Sequence, residues 1–169
     1  MDFGFVSSPA LRRFAAYWLT LRGARQLPAR ADLDPMRVAG LLSDVWLYRF
    51  EPERDDWICR IAGDSVARMT GAPMQHRALR EIFNPETAAA IRQRMDRIAG
   101  EPAALHTRGR IYRLQDRMWV GERLGLPLLD RAGRRRWVFG ISDFDTAADF
   151  AAGGRAEEDE EIVTYHRIS

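Results

Sequence analysis

Three histidines and one cysteine carry most of the reactive chemistry open to this chain. His76, His106 and His166 offer imidazoles that can ligate a metal or move a proton near neutral pH. Cys59 offers a thiol whose reactivity depends on its thiolate fraction. These residues lie far apart in sequence, and none sits in a zinc-ligand spacing, a nucleophile elbow or a paired-carboxylate signature. A small hydrolase or isomerase would have to assemble its site in space, with Asp64 or Glu122 as base and His76 as partner. All 26 basic residues are arginine and none is lysine. Schiff-base, phosphate-loop and protein-kinase lysine chemistry is therefore ruled out.

Two charges stand on strand-like runs that otherwise face a core, Arg60 and Glu122. A buried charge must be paired, so these two either pair with each other or address a polar ligand. Trp57, Tyr112 and Trp119 lie on the same runs, where they either wall a pocket or simply pack. Cys59 reads as a small core residue. His76 either binds a ligand or makes a local backbone hydrogen bond.

The elements that must position these residues follow from period and punctuation. Ser8-Pro9 gives a capping hydroxyl and a first-turn proline, and Leu11, Phe14, Ala15, Trp18 and Leu21 then recur at helical spacing up to Gly23. That amphipathic helix, within residues 1–24, either covers the core or offers Leu11, Phe14, Trp18 and Leu21 to a second copy or partner. Asp34-Pro35 starts a short helix, and Val45–Phe50 and Trp57–Ile61 form a predicted hairpin around an acidic turn. Helical spacing takes over from Gly63 to Gly100 and ends in one long helix from Pro85. Three further strands follow, near 105–114, 118–129 and 136–144. The order predicts an α+β fold at residues 25–146, with a five-stranded antiparallel sheet covered on one face by helices.

A chain of 169 residues has room for one such domain and its helical extension. The net charge of +2 divides into about +5 for residues 1–154 and −3 for residues 155–169. The arginines are scattered and no nucleic-acid motif accompanies them, so nucleic acid is not an expected partner. No apolar run approaches the roughly 18 residues of a membrane span, and the start lacks a basic signal region. The expectation is a cytoplasmic protein with an acidic, flexible tail at 147–169, in which Ile162–Tyr165 pack as a short strand or bind a partner.

Two strands, a helical middle and three strands resemble the topology of a PAS domain. Leu27-Pro28-Ala29-Arg30-Ala31-Asp32, Asp34-Pro35, Leu41-Leu42, Arg60-Ile61-Ala62-Gly63, Gly100-Glu101-Pro102, and Leu126-Pro127-Leu128 with Asp130 and Gly133 resemble the PAS family common in alphaproteobacteria, often found as small stand-alone proteins. One departure is His76, which stands where that family usually has a second glycine after Gly71. If the backbone there needs a positive φ, histidine adopts it at more cost than glycine.

The resemblance implies a non-catalytic sensory or regulatory module of bacterial signal transduction. It would bind a small ligand, a signalling protein such as a histidine kinase, or both, while a homodimer is expected through the amphipathic helix at residues 9–22. It leaves the cofactor unassigned. Haem-binding relatives usually carry their axial histidine on the long helix, which here has none, so a haem sensor is the lesser alternative. In flavin photosensors the cysteine sits in an Asn-Cys-Arg-Phe-Leu run among the helices, which this chain lacks. A module with a filled core that works by surface contact is the remaining alternative, and an enclosed volume of roughly 300 Å³ or more would favour a ligand over it.

Overall fold

The computed structural model describes residues 2–114, 117–146 and 161–169, with the side chains of 110–118, 145 and 146 outside the description. Helix α1 (Pro9–Arg22) comes first, then 3₁₀ turns at Arg30–Asp32 and Pro35–Leu41. Strands β1 (Val45–Glu51) and β2 (Asp56–Ala62) precede helices α2 (Asp64–Thr70), α3 (Leu79–Ile82) and α4 (Pro85–Gly100). Strands β3 (Ala103–Leu114), β4 (Arg117–Leu129), β5 (Arg135–Thr146) and β6 (Ile162–Arg167) complete the chain. The sheet is antiparallel with order β2-β1-β5-β4-β3-β6. It has six strands where the sequence suggested five, because Ile162–Arg167 pairs along the outer edge of β3.

Alternation along the strands sorts the core into two layers. Val45 and Leu47 of β1, Leu124, Leu126 and Leu128 of β4, and Phe139 and Ile141 of β5 pack with α1. Trp46 and Tyr48 of β1, Leu105 of β3 and Val138 of β5 pack with α2 and α4. Helices therefore cover the sheet on the expected face, and α1 covers the other. Leu11, Phe14 and Trp18 are fully buried against their own sheet and Leu21 is half-buried at its margin, so three of the four side chains considered for a dimer or partner helix are enclosed within the chain. Contact through them would require α1 to undock.

Local chemistry fixes the helix where the pattern placed it. Ser8 Oγ accepts from the amides of Ala10 and Leu11, Pro9 occupies the first turn, and Gly23 ends the helix at φ +56°. Glycine is required inside the sheet at 140, where a Cβ would stand 2.1 Å from the Trp46 ring, so that indole lies directly against the backbone. The β2 edge is covered, and the short strand β6 forms the other edge. Residues 76–78 bond to the outer side of β2, with the His76 amide donating to the Cys59 carbonyl at 2.7 Å, and β6 occupies the β3 side.

Trp18 has no exposed surface, yet its Nε1 has no hydrogen-bond partner among the described residues, so its contribution is apolar packing. Trp18→Ala should cost about 3–5 kcal/mol in urea denaturation. Trp18→Phe, which deletes the unpaired N–H, should cost under about 1.5 kcal/mol.

Candidate functional site

Between the sheet and helices α2 and α4 lies a cavity of about 40 Å³. Trp46 and Tyr48 of β1, Met69 and Thr70 of α2, Met74 and Phe83 from the segments between helices, Ile91, Arg94 and Met95 of α4, and Arg123 of β4 are among its walls. Its surroundings are apolar apart from one polar end. There Ser142 Oγ accepts from Trp46 Nε1 at 2.9 Å and from Arg123 Nε at 3.3 Å. Arg94 also lines the cavity, and its guanidinium grips Glu161 through two bonds of 2.8 and 2.7 Å. A space this small holds about one or two waters, far short of a typical ligand site. Three methionines and a phenylalanine line it, however, and unbranched thioether side chains repack at low cost.

None of the candidate residues whose side chains are described lines this cavity. Trp57 is buried in the same layer, but its Nε1 donates to Asp96 Oδ1 at 2.7 Å, which is a packing role. Arg60 and Glu122 do not pair with each other. Arg60 binds Glu51 and lies 3.4 Å from His76 Nδ1 on the outer surface of β2. His76 is exposed and adopts φ +66°, the left-handed conformation considered for that position. Trp119 is half-buried away from the cavity, and the side chain of Tyr112 lies outside the described residues. Asp64 is exposed at the start of α2, so Asp64, Glu122 and His76 do not converge.

Glu122 is on the opposite face, at the centre of a network invisible to sequence spacing. Its carboxylate accepts from the Ser7 amide at 2.9 Å, the Ser8 amide at 2.6 Å and Ser7 Oγ at 2.9 Å, and it pairs with His106 Nε2 at 2.7 Å. His166 of β6 joins by stacking on Phe5 with ring centroids 3.5 Å apart, and Phe5 also meets the His106 ring edge-on. Two of the three histidines thus meet in space although they are 60 positions apart. Burial opposes ionisation of Glu122, but the His106 bond, the two amides and the Ser7 hydroxyl outweigh it and hold the carboxyl down at about 2. Burial, with His106 nearby, holds His166 below the usual imidazole value. Cys59 is fully enclosed, and burial pushes its thiol up to about 11, which keeps it unreactive at neutral pH. Among the described residues no group of three or more His, Cys, Asp or Glu is placed to hold a metal ion.

A family model described as a PAS domain matches residues 6–142, most of the chain. The chain belongs to the PAS domain family. Among solved structures, this PAS domain is similar to an RNA-binding light-oxygen-voltage receptor, at 15% identity and a TM-score of 0.43, over 95% of this chain and 42% of that one. It is also similar to the periplasmic sensory domain of the Campylobacter jejuni chemoreceptor Tlp1, at 13% identity and a TM-score of 0.39, over 89% of this chain and 56% of that one. The chain thus spans about half the length of these two structures. No curated protein matches the sequence. No helix among the described residues is long and apolar enough to cross a membrane.

The lowered Glu122 pKa makes acid stability a direct test of the network. A carboxyl depressed from its unfolded value near 4.5 to about 2 contributes stability that is complete above pH 4.5 and is lost as the pH falls toward 2. Glu122→Gln should therefore cost about 2–3 kcal/mol at pH 7 and progressively less in acid unfolding curves below about pH 4.5.

Proposed function

We propose that this PAS domain is a non-catalytic sensory and regulatory module whose helix–sheet cavity is linked to its terminal strand. One observation carries the reading: Arg94 lines the cavity and also holds Glu161, the residue immediately before β6. The two side chains are each about a fifth exposed, 21% and 19%, so their paired bonds are partly shielded from water. Charge-assisted bonds of this kind are worth about 1.5–3 kcal/mol. One turn along α4, the Arg97 guanidinium lies 3.9 Å from the Tyr165 ring centre, a second tie to the same strand.

A ligand suited to the cavity has an apolar body and an anionic end. The body would spread Met69, Met74 and Met95, and the anion would take the Arg94 donors in competition with Glu161. Loss of that grip weakens β6 at its first residue and opens the β3 edge, a surface that a partner's extended segment can complete. A preference of a few kcal/mol for the released state is enough to shift such an equilibrium. The output would pass by association to a signalling protein, with a histidine kinase as the class the family resemblance suggests. The small cavity volume favours a second reading, a regulator that binds its partner by surface contact with the core filled.

Replacing Arg94 tests the link without knowledge of the ligand. Arg94→Gln should speed amide exchange across Ile162–Arg167 about tenfold or more, while β1 and β5 keep their protection. Unchanged exchange in β6 would remove Arg94 from the signalling route.

A further inference from the structure

On the α1 face, at the end of the sheet remote from the β3–β4 connection, a second and larger concavity of about 490 Å³ lies between the 3₁₀ turn at Arg30–Asp32 and the β4–β5 hairpin. Leu129 N donates to the Pro28 carbonyl at 3.0 Å, which ties the turn to the hairpin and brings two of the family-like segments together. Four arginines line the concavity, Arg30, Arg49, Arg131 and Arg134, with Trp137 and a single carboxylate, Asp130.

Among the described residues the charges there do not balance. Asp130 is committed to the hairpin, accepting from the Ala132 and Arg134 amides at 2.8 and 2.9 Å and from Arg134 Nε at 2.9 Å. The nearby acids are also engaged elsewhere. Asp32 binds Arg25 and the Ala29 amide, and Glu51, 4.0 Å from Arg49, is bound by Arg60. Arg30 and Arg49 both lie against the Trp137 ring, 5.5 and 5.7 Å from its centre. Arg30 Nε is buried with no hydrogen-bond partner among the described residues, an unsatisfied charged donor within this group. Such a donor is costly unless something accepts from it.

We propose that this groove binds a small molecule carrying a phosphoryl or pyrophosphoryl group, held by the guanidinium groups of Arg30, Arg49, Arg131 and Arg134. A carboxylate is flat and singly charged, and one arginine fork satisfies it. A phosphoryl group presents three oxygens in different directions with a charge of about −1.5 to −2, which suits guanidinium forks arriving from three separate chain segments. The volume falls within the range of small-molecule sites. The groove is on the other face of the sheet from the Arg94 cavity, so this inference stands independently of the proposed function.

The test is calorimetric titration of the full chain with inorganic pyrophosphate and, separately, with ATP at low salt. Saturable binding is expected, weakened about tenfold or more by Arg30→Gln and by Arg49→Gln, and unchanged by Arg68→Gln, an exposed arginine on α2 across the sheet. Indole emission should change on binding and the change should disappear in Trp137→Phe. Pyrophosphate binding as tightly as ATP would assign recognition to the phosphoryl groups alone, and ATP binding tighter with the same arginine dependence would add a nucleoside contact. No saturable binding of either at about 1 mM, binding that survives both groove substitutions, or equal loss in Arg68→Gln would overturn the proposal.

Discussion

A sheet whose two faces are both apolar must be covered twice, and that requirement organises this protein. Adjacent residues of β1 show it directly, since Leu47 enters the α1 layer and Trp46 and Tyr48 the layer under α2 and α4. The two layers are not built alike. The α1 side is filled by Leu11, Phe14 and Trp18 against a row of leucines on β4 and is sealed by a helix with a complete N-cap. The other side is covered by the long helix α4, two short helices and methionines around a small residual space, and thioether side chains repack at low cost.

Buried charge divides along the same line. Glu122 and Arg123 are consecutive residues of β4 and point to opposite faces, so each layer receives one of the two. Glu122 is saturated by donors from Ser7, Ser8 and His106 and fastens the N-terminal segment to the sheet. Arg123 shares Ser142 with Trp46 at the polar end of the cavity. The N-terminal segment is thereby fixed, whereas the residue that precedes the C-terminal strand, Glu161, is paired with Arg94, which also lines the cavity.

Much of this architecture was legible from the chain. Ser8-Pro9 and the spacing of Leu11, Phe14 and Trp18 locate α1, and the turn at Asp130–Gly133 follows from an aspartate that bonds its own backbone and a glycine at φ +75°. The site was not legible, for a physical reason. Period-two alternation says that Glu122 and Arg123 differ in face but does not say which face carries α1, so it does not single out Arg123, the one that lines the cavity. The meeting of His106 with His166 depends on β6 pairing to β3, a long-range contact that no local spacing encodes. Residues 147–160 of the expected flexible tail lie outside the described residues, while Ile162–Arg167 forms the sixth strand.

The central claim is that the cavity and β6 form one coupled unit. The most direct measurement is a nuclear magnetic resonance titration of the methionine methyl groups and backbone amides with octanoate, a small apolar carboxylate. Concerted shifts are expected at Met69, Met74 and Met95 together with loss of the β6 amide protection. Methionine shifts with β6 unchanged would contradict the coupling, and no methionine shift at saturating octanoate would favour a module that acts through its surface with the core closed.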